Sequence, residues 1–233
     1  MKNRIAPIVF SGLLVLLTST AGAQVVGYPP TSSPYRDLEY TQEWTLLVGQ
    51  YHAHQDEAQV GPQSGTLLGA HYEWRAGGPA HLIGEITRMS SDRRLIDPFK
   101  AGAARELGTV SRPLYAADAG LGLTMTGGKS WHHLVPEIDG GAGIISDLRT
   151  QPDSGGFRFG TRFAITYGAG LRFVPGGRWQ LRADIKDRLY SMGYPEAYYT
   201  VPAGGGSPVV PTSQSKSFWM NNPAFTLGIS RLY

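Results

Sequence analysis

The sequence predicts an all-β chain folded as an eight-stranded antiparallel up-and-down transmembrane β-barrel. Three observations predict it. Apolar and polar residues alternate over unusually long stretches, long and short connections between those stretches take turns along the chain, and no apolar run after the first residues is long enough for a spanning helix. Side chains on a strand point to opposite faces in turn. A tilted strand needs about 9–11 residues to cross a bilayer, whereas soluble strands are mostly about 5–6 long. A chain that crosses lipid on strands must close them into a barrel to satisfy its backbone polar groups.

The clearest stretch is Phe157–Phe173, FRFGTRFAITYGAGLRF. One face reads Phe157, Phe159, Thr161, Phe163, Ile165, Tyr167, Ala169, Leu171 and Phe173. The other reads Arg158, Gly160, Arg162, Ala164, Thr166, Gly168, Gly170 and Arg172. The aromatic face is expected to touch lipid and the basic, glycine-rich face to look into the barrel.

In chain order, residues 24–42 carry Pro29, Pro30 and Pro34 and read as an irregular lead-in, with the barrel over 43–233. The first strand starts at Glu43 and runs to Tyr51; its alternation is weak because Leu46, Leu47 and Val48 are consecutive. After a polar loop, Gly65–Trp74 sets Leu68, Ala70, Tyr72 and Trp74 against Gly69, His71 and Glu73. Gly77-Gly78-Pro79 turns the chain into Ala80–Arg88, where Leu82 and Ile86 oppose His81, Glu85 and Thr87. Met89–Pro113 is a long polar segment. Leu114–Thr126 alternates cleanly, with Asp118 on its polar face, and a GGKS turn leads to His132–Ile145, where Ile138 and Ile144 oppose Glu137 and Asp139. A medium loop precedes Phe157–Phe173 and a PGG turn follows it. Trp179–Tyr190 sets Leu181 and Ile185 against Arg182, Asp184, Lys186 and Arg188. A Tyr-, Pro- and Gly-rich loop, Ser191–Lys216, leads to the last strand, Phe218–Tyr233. Short turns on one side and longer loops on the other are the pattern of outer-membrane barrels, whose strand number is even.

The start of the chain reads as an export signal. Lys2 and Arg4 give a positive end, Ile8–Leu17 an apolar middle, and Ala21-Gly22-Ala23 a small-residue site, so cleavage is expected near Ala23. The apolar middle is shorter than the ~20 residues of a spanning helix. The chain has no cysteine, which excludes disulfides, thiolate catalysis and Cys-based zinc sites. The formal charge of +3 owes two units to Lys2 and Arg4. Without them the chain is nearly neutral, and nothing in the charge points to nucleic acid.

The chain ends Phe225-Thr-Leu-Gly-Ile-Ser-Arg-Leu-Tyr233. An aromatic last residue, preceded by apolar residues at alternate positions and a glycine, resembles the signal by which outer-membrane barrels are recognised for assembly. Phe225, Leu227, Gly228, Ile229 and Tyr233 match it; Arg231 departs from it, and a long charged side chain near the interface can snorkel. With its eight strands, the chain from 43 onward resembles the small OmpA/OmpX-type outer-membrane barrels. The resemblance implies location in the bacterial outer membrane, outer-membrane lipid and the barrel-assembly machinery as partners, a monomer, and no cofactor. The separate periplasmic peptidoglycan-binding domain that some such proteins carry is not expected, because the sequence runs out with the barrel.

The inward charges on this reading are Glu85, Asp118, Glu137, Asp139, Arg158, Arg162, Arg172, Arg182 and Asp184, joined by His71, Glu73, Lys186 and Arg188. Glu137 and Asp139 are expected to meet Arg158 and Arg162 if the strand register allows. An eight-stranded barrel is just wide enough for side chains to fill, and buried charges must be paired. The expected interior is therefore a salt-bridged plug, with a narrow ion path as the alternative. Catalysis is not expected. The resemblance to lipid A deacylases would require a His and a Ser two apart on a late strand, and no histidine follows His133. The lead-in does not read as the amphipathic helix of the palmitoyltransferases, and omptin proteases have more strands. A lipid-modifying enzyme thus stands as a further alternative. His52 and His54, near Asp56 and Glu57, form a pair of the kind that binds metal, but two histidines are a weak motif and an exposed loop edge is the expectation. The tryptophans, Trp44, Trp74, Trp131, Trp179 and Trp219, fall near strand ends, as an interfacial belt requires. Function is expected in the longer loops, as solvated structural or interaction surface. A soluble lipocalin-type barrel would reverse the polarity of every strand.

Overall fold

A computed structural model describes residues 33–233. The expected export signal and its cleavage near Ala23 lie outside the described residues, as does the lead-in before residue 33. Among the described residues thirteen strands form: β1 (Tyr35–Asp37), β2 (Gln42–Tyr51), β3 (Gly65–Gly77), β4 (Ala80–Met89), β5 (Asp92–Ile96), β6 (Glu106–Ser111), β7 (Leu114–Thr124), β8 (Lys129–Trp131), β9 (Leu134–Ser146), β10 (Thr161–Phe173), β11 (Trp179–Gly193), β12 (Ser217–Met220) and β13 (Pro223–Leu232).

Eight of them close a barrel in the order β2, β3, β4, β7, β9, β10, β11, β13. Every neighbouring pair is antiparallel, and β13 returns to β2 along a ladder from Ala224–Tyr51 to Leu232–Glu43. Closure leaves no sheet edge, the condition for strands in lipid. Short turns at Gly77-Gly78, 125–128 and 174–178 share one end with Gln42 and Tyr233. The four longer connections share the other. We call these the turn end and the loop end.

Polarity follows the sequence pattern. Leu46, Ile86, Leu121, Phe163 and Ile185 point outward and are 57–69% exposed, while His71, Glu73, Asp118, Arg182 and Arg188 point inward and are buried. An apolar belt of this extent is at odds with a water-facing surface and fits a lipid-facing one. The lipocalin-type polarity is the reverse of what is observed. Leu47 points inward between outward Leu46 and Val48, so β2 alternates regularly despite its three consecutive apolar residues. Near the turn end, Arg231 lies over the rings of Trp179 (5.8 Å) and Tyr233 (5.4 Å), which keeps its charge at the rim.

The lead-in is not irregular throughout. Tyr35–Asp37 pairs with Lys129–Trp131, and Arg75 Nη1 donates to the Leu38 carbonyl at 2.7 Å. The segment thereby crosses the turn end as a strap. The polar segment 89–113 contains a hairpin, β5–β6, with its own ladder. The last strand is interrupted at Asn221-Asn222, where buried Asn222 takes over the ladder: its Nδ2 donates to the carbonyls of Met220 (2.9 Å) and Arg188 (3.2 Å).

The largest departure is in the stretch Phe157–Phe173. The strand begins only at Thr161, and Phe157 and Phe159 are fully buried rather than turned to lipid. Gly160 has φ +66, a left-handed conformation that breaks the strand. The alternation therefore does not carry across it, and residues of the same parity face opposite ways on its two sides.

Candidate functional site: the barrel interior

The interior divides into two parts. From the turn end to mid-height it is charged. Arg172 Nη1 donates to Glu43 Oε2 at 2.8 Å and to Glu73 Oε2 at 3.2 Å, and its Nε lies 3.1 Å from Glu137 Oε2. Arg182 pairs with Glu73 and Glu137, and its Nε donates to Asp184 at 2.8–2.9 Å. His71 joins this group to the next: its ring nitrogens face Glu73 Oε1 at 2.9 Å and Glu85 Oε2 at 3.1 Å. Lys186 Nζ donates to Glu85 at 2.9 Å and lies 3.5 Å from Asp139. Arg188 reaches Glu85 at 2.6 Å and Asp118 at 2.8 Å. One network thus joins residues of β2, β3, β4, β7, β9, β10 and β11 across the lumen.

Register and small residues make this possible. Gly170 of β10 stands between Glu137 of β9 and Asp184 of β11. A Cβ there would meet the Glu137 side chain at 3.0–3.1 Å. The missing side chain makes room for the carboxylates, and for the long arms of Arg172 and Arg182 beside them.

Of the expected interior charges, Glu85, Asp118, Glu137, Asp139, Arg172, Arg182 and Asp184 lie in this network, with His71, Glu73, Lys186 and Arg188. Two do not. Arg158 is exposed and donates to the Thr150 carbonyl at 3.1 Å; the break at Gly160 turns it out of the barrel. Arg162 is half-buried at the loop end, donating to the Phe159 carbonyl at 2.8 Å. Its ladder partner on β9 is Ile145, so the register holds it far along the strand from Glu137 and Asp139. Those carboxylates meet Arg172, Arg182 and Lys186 instead. The alternation does not reveal Glu43: it is the inward charged residue of the strand whose consecutive apolar residues hide its phase.

The loop end is apolar. Tyr51, Leu67, Met89, Leu114, Ile145, Tyr190 and Met192 line the upper wall, and all four longer connections fold inward onto them. They contribute Ala58 and Val60, Ile96, Phe157 and Phe159, and Tyr194, Tyr198 and Val210. Phe159 meets Tyr190 edge-on at 5.6 Å, and Tyr194 stacks on Tyr198 at 5.7 Å. Polar pins hold the loops. Tyr194 donates its hydroxyl to Asp56 Oδ2 at 2.7 Å, and Asp56 also accepts from the backbone of Val60 and Gly61. Arg93 lies 4.8 Å over the Phe157 ring and pairs with Asp153 at 2.8 Å. Burial, with the adjacent Asp56 carboxylate, lifts the Tyr194 phenol well above its ordinary pKa; burial does the same to Tyr198. The last loop, expected to be solvated, is instead anchored through these two tyrosines.

His52 and His54 are exposed and belong to no ligand cluster among the described residues. The group that brings metal-type ligands together is Glu73, His81 and Glu137, whose ligand atoms lie within 4.8 Å of one another. A cavity of about 190 Å³ at the turn end is lined by Glu73, His81 and Arg172 together with the strap. At the C-terminus, Phe225, Leu227, Ile229 and Tyr233 are exposed on the outer face, with Gly228 packed against Thr45 and Leu47.

No family model matches the chain, and no curated protein matches it by sequence. Among solved structures, Neisserial surface protein A is similar over 86% of this chain and 98% of its own, with a TM-score of 0.51 at 11% identity. OprG from Pseudomonas aeruginosa matches over 83% and 97%, with a TM-score of 0.47 at 11% identity. The N-terminal β-barrel domain of OprF from the same organism matches over 82% and 98%, with a TM-score of 0.41 at 14% identity. The closed ladder and the first of these likenesses give the chain the fold of the small eight-stranded outer-membrane β-barrels.

Proposed function

We infer that the protein is a monomeric outer-membrane barrel of structural or interaction type, working through its loop-end surface without catalysing a reaction or conducting solutes. The observation that carries this reading is the shared apolar core of the four longer connections, set directly above a filled, ion-paired lumen. Loops that pack on one another form a fixed platform on a rigid scaffold. Phe99, Leu148 and Val201 are 57–69% exposed on that platform and suit contact with a partner. The loop end then faces outside the cell and the turn end the periplasm.

Against the channel alternative stands the double obstruction of network and cap. Against the lipid-modifying alternative, among the described residues the interior histidines, His71 and His81, face carboxylates and not a hydroxyl. On this reading the chain is exported with cleavage near Ala23, and the assembly machinery reads Phe225, Leu227, Gly228, Ile229 and Tyr233. Intact mass of the protein extracted from outer membranes checks the cleavage site. Planar-bilayer recordings of the purified barrel test the main reading. Silence across the voltage range is expected, and reproducible unitary conductance steps would replace it with the channel.

A further inference from the structure

The turn-end part of the network is incompletely satisfied. His81 is 4% exposed, and its Nε2 has no hydrogen-bond partner. That nitrogen points at two carboxylate oxygens, Glu73 Oε2 at 3.7 Å and Glu137 Oε2 at 3.8 Å. Both distances are too long for a hydrogen bond. They are close to the spacing of two ligands on one metal ion: donors about 2.1 Å from a tetrahedral Zn²⁺ sit about 3.4 Å apart. The two His81 sides of this triangle are within a few tenths of an ångström of that spacing, and the ligand atoms of the three residues all lie within 4.8 Å of one another.

Charge points the same way. Seven carboxylates face the lumen: Glu43, Glu73, Glu85, Asp118, Glu137, Asp139 and Asp184. They are met by four permanent cations, Arg172, Arg182, Lys186 and Arg188, and by His71 between two of them. By this formal count, among the described residues the lumen carries more carboxylates than cations, and a buried carboxylate without a cationic partner is expensive to keep ionised.

We propose that Glu73, His81 and Glu137 form a binding site for a divalent transition-metal cation, entered from the turn end. One imidazole and two carboxylates are a donor set suited to Zn²⁺, and three protein ligands leave a fourth position open. Two of the three ligands, Glu73 and His81, line the cavity of about 190 Å³ at the turn end, which supplies an entry path. Arg172 remains as an outer partner. It touches the same two oxygens, at 3.2 and 3.1 Å, and a carboxylate oxygen has a second lone pair for the metal. The strands fix the geometry, because the three ligands come from β3, β4 and β9 inside one closed ladder. The site does not depend on the loop-end reading: it lies at the opposite end of the barrel.

The test uses the mature chain refolded in detergent without an affinity tag, stripped with chelator and titrated with Zn²⁺ alone. One equivalent is expected to bind. Outer-shell changes at such sites weaken affinity roughly 10–100-fold, so loss of a ligand in His81→Asn or Glu137→Gln is expected to weaken it at least that much. A His52→Asn/His54→Asn double variant is expected to bind like the parent. X-ray absorption at the zinc edge of the parent protein gives a readout that needs no variant to fold, and one imidazole with the remaining ligands oxygen is expected. No retained zinc, binding unchanged in a folded His81→Asn barrel, or a spectrum with two or more imidazoles would each overturn the proposal.

Discussion

The two ends of the lumen solve one problem by opposite means. Towards the turn end the space is filled by charged side chains, each carried by a barrel strand and fixed by its register. At the loop end it is filled by apolar and aromatic side chains, many of them carried by connections outside the ladder. The first filling is as rigid as the barrel, because moving Arg182 means moving β11. The second can open without unpairing a strand. Local stability in proteins varies in this way, with loop-borne elements at the low end. The closed end of this barrel that is freer to change is therefore the loop end.

The largest expected effect breaks the charged end. In Arg182→Met, Glu73, Glu137 and Asp184 lose a shared guanidinium. Removing one partner of a buried ion pair costs about 3–5 kcal/mol, and urea unfolding of the refolded barrel, followed by tryptophan fluorescence, should register a loss of that order. Arg158→Met removes an exposed guanidinium bonded to a loop carbonyl and should stay within about 0.5 kcal/mol. Equal losses in the two variants would mean that the network contributes nothing beyond surface charge.

Next comes the apolar end. Phe157→Ala empties a fully buried site among Arg93, Tyr194 and Tyr198. Truncating a buried Phe costs about 3–5 kcal/mol where the surroundings cannot collapse. The loss should fall on the cap alone: limited proteolysis is expected to cut the loops faster, while the boiling-dependent gel shift of the barrel persists. Disappearance of that shift would show that cap and barrel unfold together.

Tyr194→Phe sharpens the comparison within the cap. It removes a hydroxyl that donates to Asp56 and accepts from the Ala58 amide, and a hydrogen bond to a charged group is worth about 1.5–3 kcal/mol. The pH dependence follows from the raised phenol. A tyrosine whose folded pKa exceeds its unfolded value, about 10, lends stability that is fully present below that pH and is lost as pH rises above it. Loop protection measured by hydrogen exchange should therefore be level up to about pH 10 and fall beyond it. The fall should be shallower in Tyr194→Phe. A cap that loosened on acidification alone would contradict this assignment.

How much of this was legible from the residues differs between the same two ends. Eleven of the thirteen charges expected in the lumen lie in the network, because period-two alternation on a long strand decides which way a side chain points. Their partners were not legible. Pairing Glu137 with Arg172 requires the β9–β10 register, which places Glu137 opposite Gly170. Glu43 was lost because Leu46, Leu47 and Val48 in a row obscure the phase of β2. The cap was hidden for a different reason. Phe157, Tyr194 and Tyr198 lie outside the ladder, and no periodicity assigns a loop residue to a core. Alternation even pointed Phe157 and Phe159 the wrong way, since it assumes an unbroken strand.

That break rests on Gly160, and the smallest expected effect tests it. Its φ of +66 is open to glycine at no steric cost and strained for most L-residues. A Cβ at this position meets nothing closer than Arg158 Nε at 3.6 Å, an ordinary contact. The cost of Gly160→Ala is thus conformational, about 1–2 kcal/mol, and it falls where the chain passes from cap to strand. Gly160→Asn should cost less, because asparagine tolerates the left-handed region better than alanine. The order alanine worse than asparagine, read from loop proteolysis at constant barrel stability, would tie the inward turn of Phe157 and Phe159 to one backbone angle. If alanine is tolerated as well as glycine, the strand can continue through residue 160, and the aromatic pair can turn outward as plain alternation expects.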